Sequence, residues 1–507
     1  MSDPTPRKTR PLLARDVQVY RLCEDLTESL IYPMAVLSPW AFGTTDGWAM
    51  WVMNGAGYAL GLLVLAKLLI RWFKGYRPLR WDRRETPTRR KLISTLAGMT
   101  IAIPIYCLIG AINARATYQP DMLGFDYHEY IKWLPTSFDS ANTWFVFWCS
   151  AALACSFWAI RDWLLGKTAA EERAERVKLD LTPDEAPLLP GRWRRLLWVL
   201  TINGGLLGVE GIIQRLANCP KLLFMVLPTV HQTADTQFGP YAYRSSAAQY
   251  FNLLWPVSLG FWRLLQRGGE AGRNSRPFAL ICASIMAACP IISTTRGGAL
   301  VSFALLALAT FFIAITPDRA EATAQGERAG VKGSNRLRTG LALGIFLIGS
   351  LALGILLGWK TLKPRMAQIS EGYDYRERMY QNAAPMAADY PVYGIGPGAF
   401  VHVFQLYRVA TSTYWPPELH NDWLEARISF GWVGSGMILG ALLVLEISGF
   451  SYGGIFGHWR FGVMLGLAMG GCMVHALFDF PFQIYSVVFL FLIWCAMAGC
   501  LSRKPAT

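Results

Sequence analysis

Apolar stretches of about 20 residues recur along this chain from Leu26 to Leu501, the length a helix needs to cross a bilayer. Inside a hydrocarbon core every backbone N–H and C=O must find its partner within the element, so such stretches fold as membrane-spanning helices. The balance of residues agrees, with 53% hydrophobic and only 16% charged. Twenty Trp and twenty Tyr supply amphipathic rings suited to the headgroup level. The sequence therefore predicts an all-α, polytopic membrane protein with about 12 transmembrane helices. Their approximate positions are 26–42, 48–70, 92–112, 143–165, 196–216, 245–265, 277–293, 298–316, 339–358, 430–448, 461–479 and 482–501.

A net charge of +14 would suit nucleic acid if it formed a stripe, but its distribution speaks against that. Lys and Arg crowd into short segments between spans: Arg7 to Arg21, Arg71 to Lys91, Arg161 to Arg195, Arg263 to Arg276 and Arg319 to Arg338. Basic residues near span ends stay on the cytoplasmic side. Twelve spans starting inside put all five segments there, and place both termini in the cytoplasm; an odd shift would misplace half of them. The expected location is thus a bacterial inner membrane crossed many times, with membrane lipids as partners and no nucleic acid. Of the ten cysteines, most lie within apolar runs and only Cys219 falls clearly in an outward loop, so no disulfide framework is expected. The first 25 residues lack an apolar core followed by a cleavage site, which leaves targeting to the first span.

The connecting segments are unequal. Gly166–Arg195 mixes both signs of charge and reads as a short solvated helix plus linker, while Pro317–Arg338 has the composition of a flexible connector. Outside, Asn113–Asn142 and Ala217–Arg244 are moderate, and one large loop covers 359–429. A long loop carrying aromatic and charged residues is more often functional than a mere connector. The organisation expected is N-terminal transmembrane helices with basic cytoplasmic loops over 1–238, a second region over 239–501 that includes the large outward loop, and a cytoplasmic tail over 502–507.

Four outward clusters carry the chemistry: Gly239–Ser246, Ser293–Gly298, then Tyr375–Arg378 with Asp389–Phe400, and His420–Glu425 followed by Phe430–Gly434. Arg244 and Arg296 each lie at the outer start of a span. An arginine at bilayer depth is costly and usually has an anionic partner, and its planar guanidinium grips phosphate bidentately. The helix beginning at Arg296 adds free N–H groups and a positive dipole end. Two such arginines facing one cavity would hold a pyrophosphate; the alternative for either is a snorkelling anchor. His420, where the chain re-enters the membrane, is the candidate base, because a neutral imidazole accepts a hydroxyl proton at ambient pH. Its alternative is a structural histidine bonded to a carbonyl. His475 and Asp479 lie together near the outer end of the eleventh span. His128, His231, His402 and His458 are weaker candidates, and no histidine pair has metal-ligand spacing, so neither a metal nor another cofactor is expected. Gly394-Ile395-Gly396-Pro397-Gly398 lacks the following Lys-Ser or Lys-Thr of a nucleotide loop.

In order and spacing these clusters resemble the O-antigen ligase family, which includes O-antigen polymerases and some protein O-oligosaccharyltransferases. The resemblance runs from about Gly239 to Gly499. It is strongest in Ser293–Gly298, Pro391–Phe400 and His420–Gly434, with His475–Gln483 similar to the family's closing segment. It implies a GT-C-like helical fold and an inverting, metal-independent glycosyltransferase of the periplasmic face. The donor would be a glycan on undecaprenyl pyrophosphate, and the acceptor a hydroxyl on a glycolipid, a glycan or a protein. By the same resemblance Arg244 and Arg296 would hold the pyrophosphate, with Arg376 or Arg378 as a third group. His420 would deprotonate the acceptor, supported by Asn421, Glu425, Gly396, Gly398, His475 and Asp479. Ligase, polymerase and protein-glycosylating readings share donor and base, and the residues do not separate them. A transporter or flippase would be a different class; against it stand the absence of an internal repeat and the gathering of polar residues in one outer loop.

Overall fold

The computed structural model describes residues 11–81, 87–168, 171, 173, 189–266, 275–316, 329–409, 417–450 and 459–501. Among the described residues nine helices lead to the large segment 359–429: α1 Ala14–Trp40, α2 Gly47–Lys74, α3 Pro87–Ile112, α4 Ser140–Leu164, α5 Gly191–Leu216, α6 Arg244–Leu265, α7 Arg276–Ile292, α8 Arg296–Ile315 and α9 Ala329–Gly354. α10 (Lys360–Ala367), α11 (Ile369–Asp389), α12 (Asp422–Phe450), α13 (Trp459–His475) and α14 (Tyr485–Leu501) follow.

Every one of the twelve apolar stretches overlaps a helix. Among the described residues seven helical stretches are long and apolar enough to cross a membrane: α2, α3, α4, α5, α8, the run Leu337–Ala367, and α12 to Gly449. α7 and α14 are apolar but shorter. α6 falls outside that set for a physical reason. It is buried along nearly its whole length by α5, α7, α8, α13 and α14, so it needs no lipid-facing side and carries Ser245, Gln249, Asn252 and Ser258 into the protein interior.

Three differences from the sequence expectation concern the segments between the expected spans. First, the segment expected as a loop over 359–429 is largely helical. α9 continues through a π-helical turn, Ile355–Trp359, into α10, and α11 fills most of the next stretch. The π turn lies where Gly358 presses on α7; a Cβ there would sit 2.6 Å from the Ile291 carbonyl oxygen, so a small residue lets the two backbones meet. Second, α12 starts at Asp422, ahead of the expected 430, and is bent at Gly431, whose φ of 61° is open to glycine. Third, a two-stranded antiparallel hairpin, β1 Ala116–Gln119 and β2 Gly124–Tyr127, occupies part of 113–142 and pairs Tyr118 with Phe125. Most of the Gly166–Arg195 linker, residues 317–328 of the expected connector, and His458 lie outside the described residues.

The helices pack in two groups that do not follow chain order. α12 and α14 return to join α1–α4, while α13 joins α5–α9. Contacts of α14 with α6 and of α1 with α5 close the seam.

The two ends of the bundle differ chemically. At one end Lys67, fully buried, bonds Glu24 and Asp162, both at 2.9 Å. Arg71 meets Asp162 at 2.7 Å, and Arg192 meets Glu24 at 2.5 Å. This network ties α1, α2, α4 and α5 together, and removing one partner of such a buried pair costs about 3–5 kcal/mol. The other end carries all four clusters singled out above, roofed by a small apolar core of Met379, Met386, Ile395, Phe400, Phe404 and Leu419.

Candidate active site

His420 sits just before α12 with φ of 56°, a left-handed conformation that costs a non-glycine residue about 1–3 kcal/mol. Three hydrogen bonds hold it there. The Leu424 N–H donates to Asn421 Oδ1 at 3.0 Å, capping the helix. The Leu419 N–H donates to Glu425 Oε2 at 2.8 Å, and the Tyr380 hydroxyl donates to the His420 carbonyl at 2.7 Å. Asn421 and Glu425 therefore fix the backbone on either side of the imidazole.

Asp422 brings in the partner. Its Oδ2 accepts the Phe482 N–H at 2.7 Å, its Oδ1 accepts from Gln483 at 3.2 Å, and its own N–H donates to Ala476 O at 2.9 Å. These bonds draw the turn that follows α13 against His420. There Asp479 Oδ1 lies 3.1 Å from His420 Nδ1 and accepts the Phe480 N–H at 3.1 Å, while Ser245 Oγ of α6 donates to Oδ2. Burial pushes the Asp479 carboxyl up, but the His420 hydrogen bond and the charges of His420, His475 and Arg376 outweigh it and hold the group at about 2. An ionised Asp479 accepts only, so Nδ1 carries the hydrogen of that bond; in the neutral ring Nε2 is then the acceptor. Phe480 packs edge-on against the ring, with centroids 4.9 Å apart. His475 is buried 3.7 Å from Asp479 Oδ2, and neither of its ring nitrogens has a hydrogen-bond partner among the described residues.

Arg244 opens α6 between two residues that touch this pair. Tyr243 stacks on Phe480 at 5.4 Å, and Ser245 bonds Asp479. The guanidinium donates to the Asp235 carbonyl and lies 3.5 Å from its carboxylate. Arg296 opens α8 and donates to Gln368 O at 2.7 Å. A Cβ on the next residue, Gly297, would lie 3.4 Å from His475 Nε2, so the start of α8 abuts the histidine–carboxylate cluster. Of the two arginines on α11, Arg376 acts electrostatically on Asp479, His475 and Tyr380. Arg378 is exposed and bonds its own helix at Asp374 O, 3.3 Å away. Residues two apart on a helix face different ways, so the two arginines do not share one environment.

The glycine turn does something other than line the site. Gly396 and Gly398 have φ of 106° and 81°, and a Cβ on Gly396 would strike Ser137. The turn docks on α4, with Thr143 Oγ1 donating to Pro397 O at 2.7 Å, and on α12, with the Gly396 N–H donating to Ser429 O at 3.1 Å. It braces the segment that presents His420.

Glu418 is half-buried beside this centre. Burial and the neighbouring Glu425 and Asp479 push its carboxyl up to about 8. Folding therefore takes up a proton between about pH 4.5 and 8, and stability falls as pH rises through that window. Glu418→Gln removes this dependence: its Tm is expected to exceed that of the parent at pH 8.5 by several degrees and to match it near pH 4.5, read by thermal unfolding in detergent.

Residues 281–439 match the O-antigen ligase family. The match reaches from α7 into α12 and takes in Arg296, Arg376 and His420; Arg244, His475 and Asp479 lie outside it, and Asp479 meets the matched segment through its hydrogen bond to His420. No curated protein matches the chain.

Proposed function

We propose that this chain is an inverting glycosyltransferase that moves a glycan from undecaprenyl pyrophosphate to an acceptor hydroxyl, with no metal in the reaction. The matched domain and the long apolar helices support the broader reading of a glycan-transferring membrane enzyme. The finer reading rests chiefly on the Asp479–His420 hydrogen bond, to which Ser245 brings the start of α6 at Arg244, while Gly297 sets the start of α8 at Arg296 against neighbouring His475. Nε2 takes the acceptor hydroxyl proton as its oxygen attacks the anomeric carbon from the face opposite the pyrophosphate. The bond from that carbon to the phosphate oxygen breaks, and its electron pair leaves on the pyrophosphate. Fixed guanidiniums stabilise the developing charge, so the leaving group needs no general acid. Asp479 stabilises the imidazolium that forms.

In this reading twelve spans of a GT-C-like bundle cross the bacterial inner membrane, both termini are cytoplasmic, and the site opens to the periplasm. The charge bias of the connecting segments supports that orientation. Purified chain incubated with lipid-linked glycan and an acceptor should consume donor and release undecaprenyl pyrophosphate; no turnover with any acceptor class would refute the reading. The glycolipid profile of a deletion strain separates the acceptors: loss of all capped lipid A marks a ligase, and loss of long chains alone a polymerase. Arg296→Lys keeps the charge but loses the fork, and transfer should fall by roughly 100-fold, measured as initial rate with lipid-linked donor.

A further inference from the structure

Segment 233–237 is gripped by three arginines from three separate elements. Arg215, at the end of α5, donates to Ala234 O at 3.0 Å and Gln237 O at 2.9 Å. Arg244 donates to the Asp235 carbonyl. Arg365 of α10 meets Asp235 Oδ2 at 2.8 Å, the same oxygen that lies 3.5 Å from Arg244. Asp235 is 49% exposed at its side chain, whereas Arg244 and Arg365 are 18% and 28% exposed. The carboxylate therefore sits at the mouth of a basic recess rather than deep within it. Three residues beyond Arg365, Gln368 O receives Arg296. The end of α10 is thus held between Arg296 on one side and the Asp235–Arg244 contact on the other.

We propose that Arg365 and Arg244 form a clamp for a phosphate anion, and that Asp235 is the resident anion which the phosphate displaces. A carboxylate shared by two guanidiniums has the charge and the spacing of acceptors that one phosphate group presents. Two guanidiniums on a single half-exposed carboxylate, with Arg215 on the flanking carbonyls, leave the recess net positive, which favours exchange for a more highly charged anion. Asp235 then keeps the arginines apart and positioned in the empty state and sets how tightly the anion is held. The inference rests on the proposed pyrophosphate-linked donor for its biological ligand, but the clamp is tested without transfer.

Inorganic pyrophosphate binding is measured by calorimetry on the full chain carrying His420→Ala, in phosphatidylcholine nanodiscs. Asp235→Asn should tighten binding at least fivefold, and Arg365→Gln should weaken it at least tenfold. Unchanged affinity in Arg365→Gln, or no binding in the parent, overturns the clamp. Weaker binding in Asp235→Asn overturns the displacement. The same titrations in phosphatidylglycerol nanodiscs separate the sources: an effect of Arg365→Gln that persists there supports a diphosphate, and one that vanishes shows a lipid headgroup in the recess and overturns the diphosphate assignment. Should the chain transfer no glycan while Arg365→Gln still loses pyrophosphate, the glycosyl reading falls and the clamp stands.

Discussion

Replacing His420 by alanine should lower glycan transfer by about 1,000-fold or more while leaving protein level and membrane insertion intact, since a positioned base contributes roughly 10²–10⁴ in rate. Among the described residues the side chain makes one hydrogen bond, to Asp479, and edge contacts with Phe480 and Tyr243. The bonds that shape this segment run through the backbone of Leu419 and His420 and through Asn421 and Glu425, all of which survive the substitution. Alanine does inherit a φ of 56°, which costs it about 1–2 kcal/mol. His420→Asn serves as the control, because asparagine tolerates the left-handed region and still lacks a base. Both variants should be inactive with lipid-linked donor yet match the parent in size-exclusion profile. Full turnover in either one removes His420 from the reaction.

How far the sequence went differs between fold and site. Helix positions were legible because lipid imposes one requirement, a run of apolar residues, on every span that faces it. α6 shows the limit of that logic: its segment was found, yet its buried face of Ser245, Gln249 and Asn252 reflects neighbours that no local pattern reveals. The outer segment misled for a related reason. Polar residues from Lys360 to Asp389 look like loop when read against a membrane, although they suit amphipathic helices lying over a small core. That misreading hid Arg365. In the site, His420, Arg244, Arg296 and Asp479 were singled out one by one, but the His420–Asp479 bond joins residues far apart in the chain. Asp422 was visible in the His-Asn-Asp-Trp string; its task of tethering the turn after α13 was not. Gly396 and Gly398 drew attention by composition, and their positive φ answers to close packing on Ser137 and Asn142.

Asp479→Asn tests whether the carboxylate acts by charge or by orientation. Two donors, His420 Nδ1 and the Phe480 N–H, both at 3.1 Å, converge on Oδ1, so the amide must keep its oxygen there. The amide nitrogen then takes the Oδ2 position and donates to Ser245 Oγ, a hydroxyl that turns from donor to acceptor at little cost. Nδ1 still finds an acceptor, and the imidazole keeps its tautomer and its pose. What disappears is the negative charge that, in the proposed mechanism, stabilises the imidazolium formed as the acceptor loses its proton. Transfer should therefore fall by roughly 100-fold, short of the roughly 10⁴-fold loss that follows when an amide enforces the wrong tautomer. The pH profile carries the sharper signature. Without the carboxylate the protonated ring is less favoured, so the acidic limb of kcat/KM should move to lower pH while the plateau drops. A purely structural aspartate would lower the plateau and leave the limb where it was. Asp479→Glu, which restores charge on a longer arm, should return the limb toward its original position, and a limb unmoved in both variants would refute the electrostatic role of Asp479.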